Sequence, residues 1–175
     1  LTRFLNVGAN AGFYCLLAER LGLQAMGFEP EPAAFRLLQR NLGLNRSSCV
    51  AIPAAVASRF GQATFYGTGT AGSLLAGLSG TPRWDHQSVT TLSLDGLFAM
   101  GGITATPTDS LWLFDCEGAE PDALRGAHQL LGATHPLLVL ELAPNRNPQA
   151  WSKCLDQLVC LGYSHLLACS SLEIG

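Results

Sequence analysis

The chain is short of charge. Asp, Glu, Lys and Arg together make up 13% of its 175 residues, and ten basic against thirteen acidic side chains leave a net charge of −3, with a pI near 5.7. A phosphate backbone is held by a dense basic footprint, so nucleic acid is excluded as the main partner. Long apolar runs are missing as well. Stretches such as Pro136 to Leu142 fall far below the roughly 18 to 20 residues that span a bilayer, and no membrane partner is expected. The six cysteines (Cys15, Cys49, Cys116, Cys154, Cys160, Cys169) contain no C-x-x-C pair. A chain with an ample core does not need disulfide staples, so buried reduced thiols in a cytoplasmic protein are the expectation. The first residues, Leu1-Thr2-Arg3-Phe4-Leu5, lack an initiator Met and the cationic and apolar regions of a signal peptide. They run straight into a strand pattern, so a truncated N-terminus is expected.

What is abundant is apolar surface: 48% of residues are hydrophobic and mean hydropathy is +0.25, enough to exclude disorder. The length favours a single domain over residues 1–175. Strand-like runs alternate with helical patterns, the signature of parallel βαβ units with helices on both faces of a sheet. Strands are expected over Arg3–Val7, Gln24–Phe28, Cys49–Val56, Ala63–Tyr66, Ser88–Leu94, Ser110–Phe114, His135–Leu142 and Tyr163–Ala168. Helices are expected from Gly12 to Leu21 with Leu16, Leu17 and Leu21 inward, from Pro32 to Gly43, from Pro121 to Leu131 and from Pro148 to Leu161. Gly67 to Gln87, rich in Gly, Ser and Thr, reads as a long loop.

Ligands of a doubly wound sheet bind outside the carboxyl ends of its strands. After the first strand stands Asn6-Val7-Gly8-Ala9-Asn10-Ala11-Gly12, where Gly8 permits a tight turn and Gly12 a close helix start. After the second stands Glu29, twenty-one residues beyond Gly8, the offset at which an acidic side chain meets ribose hydroxyls. A nucleoside derivative is the expected ligand. The third glycine of the dinucleotide fingerprint is absent, and Tyr14, Tyr66 and Tyr163 have no Lys four residues on.

Asp115-Cys116-Glu117-Gly118-Ala119-Glu120 crowds three carboxylates where a strand gives way to a helix. Acids complement a helix N-terminus, and they also serve as a base or an orienting group beside a cofactor. A hard divalent ion wants several oxygen ligands, and no further acid with suitable spacing lies nearby in the chain, so no metal is expected. Glu141 closes the next strand on the same side, as a strand-end carboxylate or a catalytic one. In the long loop Asp85 and His86 lie beside Arg83 and Trp84, either solvated or reaching over the site.

Four segments together resemble the FkbM family of S-adenosylmethionine-dependent methyltransferases: Phe4 to Tyr14, Gly27-Phe28-Glu29-Pro30-Glu31-Pro32, Asp115 to Glu120, and Leu138 to Leu142, with Ser73 and Leu94-Asp95 between them. The D-x-E-G-A-E element is the most specific. The resemblance implies a class I, Rossmann-like methyltransferase fold with S-adenosylmethionine as cofactor and a hydroxyl of a sugar or small metabolite as acceptor. Asn6, Gly8, Ala9, Asn10, Gly12, Glu29 and Pro30 are the expected cofactor-binding residues, and Asp115, from its place at a strand end beside the first strand, is the expected base, with Glu117 and Glu141 as orienting or substitute bases. Ser73, Trp84 and His86 are the expected acceptor contacts, carried on a lid formed by the long loop. Asn6 stands where the family has an acid, and the family's last strand is not visible after Tyr163–Ala168, so a C-terminally incomplete sheet is expected. A non-catalytic nucleoside-binding module is the alternative. The oligomeric state is left open.

Overall fold

In a computed structural model of the chain, residues 1–67, 72–76, 86–103, 109–142 and 148–167 are described. A five-stranded sheet has the order β3-β2-β1-β7-β8, built from β1 (Arg3–Val7), β2 (Gln24–Phe28), β3 (Val50–Ile52), β7 (Ser110–Phe114) and β8 (Leu137–Leu140). Every pairing in it is parallel. Alternation along β1 divides the core. Leu5 and Val7 face one side with Phe28, Trp112 and Phe114, against α4 (Glu120–Arg125), α5 (His128–Thr134) and α6 (Pro148–Cys160). Phe4 faces the other side, against α1 (Phe13–Arg20) and α2 (Pro32–Leu44). This is the doubly wound α/β architecture that the alternating pattern predicts.

Local chemistry sets the helix starts. Pro32 occupies the first turn of α2, and the Glu31 side chain accepts from Ala34 N–H, one of the amides that a helix start leaves unpaired. Ala34, Leu38 and Leu42 then repeat every four residues on the buried face. In α1 the fully buried residues are the small Cys15 and Ala18, and Leu16 packs partly buried against the same cluster as expected, while Leu17 and the C-cap residue Leu21 are exposed.

Several expected boundaries move. The run Cys49–Val56 splits at Pro53, which has no N–H to donate, into β3 and β4 (Ala55–Val56). The latter joins a second, three-stranded sheet of order β4-β6-β5, with β5 at Gly61–Tyr66 and β6 at His86–Leu92. His86 and Gln87, expected in the long loop, therefore belong to a strand. β6 stops at Leu92 because Ser93 caps α3 (Leu94–Ala99) by accepting from Gly96 N–H. The expected helix from Pro121 to Leu131 is two helices broken at Gly126, and Asp95 caps the second of them by accepting from the N–H groups of Gln129 and Leu130. Tyr163–Leu167 forms no strand: Tyr163 N–H caps α6 through Leu158 C=O, and Leu166 and Leu167 are exposed. Ala168 and Trp84, with most of the expected lid, lie outside the described residues. Leu137 and Val139 on β8 present an apolar, exposed surface. Among the described residues no helix is long and apolar enough to cross a membrane.

Gly126, where the two helices part, has no room for a side chain. A β-carbon there would lie 2.0 Å from the Ala57 carbonyl oxygen, although the backbone itself is ordinary helix. Gly126→Ala is therefore expected to lower unfolding free energy by about 1 to 3 kcal/mol, as overpacking does. Gly43→Ala, inside α2 with open space around it, should raise it by about 0.4 to 1 kcal/mol. Urea denaturation of both variants checks the contrast.

Candidate functional site

The strand order reverses between β1 and β7, and at the carboxyl ends of β1, β2 and β7 lies a solvent-open cleft. Such a switch point is where an open α/β sheet takes its ligand. Gly8 turns the chain out of β1 at φ 86°, a conformation that side chains disfavour. A β-carbon on Gly8 would sit 1.9 Å from the Asp115 carbonyl oxygen. The loop is pinned from behind: the N–H groups of Gly8 and Ala9 both donate to Phe28 C=O, and Asn41 Nδ2 donates to Ala11 C=O. Asn10 takes a left-handed turn at φ 47°, which asparagine tolerates well.

That turn aims the Asn10 N–H at Glu29. The Glu29 carboxylate accepts from Asn10 N–H at 2.8 Å through Oε2 and from Glu31 N–H at 2.8 Å through Oε1. Each oxygen keeps acceptor capacity, and the side chain lines the cleft. Burial pushes the Glu29 carboxyl above its usual range, the two backbone bonds oppose this, and the charge of Glu31 adds to the rise. A buried carboxylate already oriented by the backbone is suited to two adjacent hydroxyls. Beside it Phe28, Pro30, Ala54 and Val56 form an apolar wall fit for a flat aromatic base.

Of the cofactor residues expected from sequence, Gly8, Asn10, Glu29 and Pro30 line the cleft. Asn6, Ala9 and Gly12 stand behind it. Asn6 is fully buried with its amide toward Cys15 Sγ at 3.8 Å, and its Oδ1 has no hydrogen-bond partner. Ala9 packs over Gly27, and Gly12 packs on Leu38.

The acidic loop forms the opposite wall. Asp115 N–H donates to Val7 C=O, extending β7 beside β1. Glu117 and Gly118 take consecutive left-handed conformations at φ 54° and 92°. Glu120, fully buried, holds this turn by accepting from the N–H groups of Cys116 and Gly118, and burial raises its pKa. Sequence reasoning misses this bracing role, although the D-x-E-G-A-E spacing carries it. Glu141, one residue beyond β8, is brought in by the bond from its N–H to Phe114 C=O. Ligand atoms of Asp115, Glu117 and Glu141 all lie within 4.8 Å of one another. Desolvation, a hydrogen bond with Asp115 and the charges of Asp115, Glu117 and Glu120 push Glu141 up to about 7. Near neutral pH Glu141 is thus partly protonated. Sequence spacing offers no further acid near Asp115 and Glu117; the fold supplies Glu141. Three such oxygens are also part of the donor set of a hard divalent cation.

Ser73 is buried, pairs with Tyr66 through both backbone groups, donates its hydroxyl to Glu117 C=O at 2.8 Å and accepts from Leu75 N–H at 3.0 Å. Its hydroxyl thus latches the segment to the acidic loop, and its neighbours Gly72 and Leu74, with Phe65, line the cleft. No motif marks these three residues. His86 is exposed on β6, with its ring 6.2 Å from that of Tyr66, and does not line the cleft.

A model of the methyltransferase FkbM domain matches residues 6–165. The crystal structure of a methyltransferase FkbM from Methylobacillus flagellatus KT superposes with a TM-score of 0.64 at 15% identity, over 91% of this chain and 37% of that one. This chain therefore spans little more than a third of that protein's length. No curated protein matches the chain. The family match covers both the Glu29 cradle and the acidic loop, and the chain belongs to the FkbM methyltransferase family.

Proposed function

We propose that the domain binds S-adenosylmethionine and methylates a hydroxyl of a sugar or small metabolite. The observation that carries this reading is a backbone-held carboxylate, Glu29, lining one cleft at the switch point together with Asp115 and Glu117, which Glu141 joins within 4.8 Å, in a chain of this family. Glu29 receives the ribose hydroxyls, the wall of Phe28, Pro30, Ala54 and Val56 takes the adenine, and the backbone from Gly8 to Asn10 lies along the methionine portion. When bound, the cofactor supplies a sulfonium methyl group, a strong carbon electrophile. What the protein must add is chiefly alignment. The acceptor oxygen must lie behind that carbon, with Phe65 and Leu74 covering it from water. Asp115 takes the hydroxyl proton as the oxygen–carbon bond forms and the carbon–sulfur bond breaks. Glu117 orients the acceptor, and Glu141 holds or passes on the proton shared with Asp115.

Titration calorimetry with S-adenosylhomocysteine is expected to show saturable binding, and Glu29→Ala should weaken it by about 1.5 to 3 kcal/mol, as loss of charge-assisted hydrogen bonds does. Saturable binding of NAD without heat from S-adenosylhomocysteine overturns the cofactor assignment. Transfer of labelled methyl to a panel of glycans and hydroxylated metabolites tests the reaction, and binding without turnover of any acceptor assigns the domain to the nucleoside-binding reading.

Asp115→Asn keeps the shape and removes the base, so kcat should fall by about 10² to 10⁴-fold with cofactor affinity within a few fold.

The pH dependence follows from Glu141. A carboxyl raised to about 7 is protonated below that value and cannot take on the proton that Asp115 receives, so the rate should rise with pH through about 7. Glu141→Gln should remove that inflection from the rate profile.

A further inference from the structure

One peptide unit of the acidic loop is held at both of its polar ends. The Glu117 C=O accepts from the Ser73 hydroxyl at 2.8 Å, and the Gly118 N–H donates to Glu120 Oε1 at 3.2 Å. A peptide so gripped cannot turn over without breaking both bonds. The residues on either side of it are left-handed, Glu117 at φ 54° and Gly118 at φ 92°. Glycine adopts that conformation freely, but a residue with a β-carbon is strained in it and stays only where its surroundings over-determine it. In this conformation a carboxylate oxygen of Glu117 lies within 4.8 Å of those of Asp115 and Glu141. Ser73 is itself firmly placed. It is buried, its backbone exchanges both hydrogen bonds with Tyr66 at the end of β5, and its oxygen accepts from Leu75 N–H at 3.0 Å. Its one hydroxyl proton is thus left for the Glu117 carbonyl.

We infer that Ser73 is a positioning residue for the methyl transfer proposed above: anchored to the second sheet, its hydroxyl fixes the Glu117–Gly118 peptide and so keeps the Glu117 carboxylate in one group with Asp115 and Glu141. The inference rests on that reading of the cleft. Ser73 does not line the cleft, although its neighbours Gly72 and Leu74 do, and it acts on the acceptor only through Glu117. Loss of the hydroxyl releases the carbonyl end of the peptide. Glu117 then relaxes out of the left-handed region, and its carboxylate moves away from its two partners. That movement is readable at Glu141, which desolvation, the hydrogen bond and charge of Asp115 and the charges of Glu117 and Glu120 together raise. With the Glu117 charge withdrawn, Glu141 titrates lower.

The full chain is prepared as wild type, Ser73→Ala, Glu117→Gln and the double variant, with labelled glutamate carboxyl carbons and Glu141→Gln to assign the Glu141 signal. NMR titration of the ligand-free proteins should place Glu141 at about 7 in the wild type, lower in Ser73→Ala, lower in Glu117→Gln, and no lower again in the double variant. In methyl transfer, Ser73→Ala should lower kcat by about 10 to 10²-fold, as misplacement does, with S-adenosylhomocysteine affinity little changed. Added to Glu117→Gln it should cost little more, because both changes act through one group. A Glu141 titration in Ser73→Ala identical to that of the wild type, or losses that simply add, overturns the inference. The titration needs no acceptor, so absence of turnover in all four proteins counts against the proposed reaction while Glu141 still decides the role of Ser73. If Ser73→Ala does not fold, Ser73→Cys, with a weaker donor at the same point, replaces it in the cycle.

Discussion

The Asp115 carbonyl oxygen lies where any residue but glycine at position 8 would place its β-carbon. β1 and β7 run parallel and in register, Val7 beside Phe114, and their chains leave the sheet side by side. One loop then carries the cofactor-facing backbone and the other the acidic cluster. The close contact keeps the two walls within reach of a single ligand pair, and the cleft depends on it.

Acidic residues crowd this end of the sheet, and backbone amides sort them. Glu29, Glu31 and Glu120 each accept from main-chain N–H groups, so their charge shapes turns and a helix start. Asp115, Glu117 and Glu141 instead face one another. Like charges at that range resist full ionisation, and the outcome is a group that titrates near neutrality rather than in the ordinary carboxylate range.

The central sheet was legible in the sequence because parallel strands buried on both faces read as apolar runs; β1, β2 and β7 fall at their expected residues. The Glu29 offset and the acidic element also marked both walls of the cleft. Legibility failed where tertiary contact overrides local pattern. Nothing in Cys49–Val56 but Pro53 announces that the run serves two sheets, and the need for glycine at 126 depends on the distant Ala57 carbonyl. Ser73 reads as a loop hydroxyl free for a ligand, yet its partner is the Glu117 carbonyl, 44 residues away. Glu141, by contrast, was legible beside Asp115 from its place at the end of the next strand, and the two meet with Glu117 within 4.8 Å.

Glu29 is stripped of water and locked in one rotamer before any ligand arrives. A raised carboxyl pKa means that the ionised native state is disfavoured relative to the unfolded chain above the ordinary glutamate range. Ionisation of Glu29 therefore costs the empty protein stability as pH rises through the raised value. A ligand whose hydroxyls satisfy the carboxylate offsets that deficit and loses little to ordering. The fold thus carries the desolvation cost of recognition in advance, and stability and affinity at this residue are opposite ends of one balance.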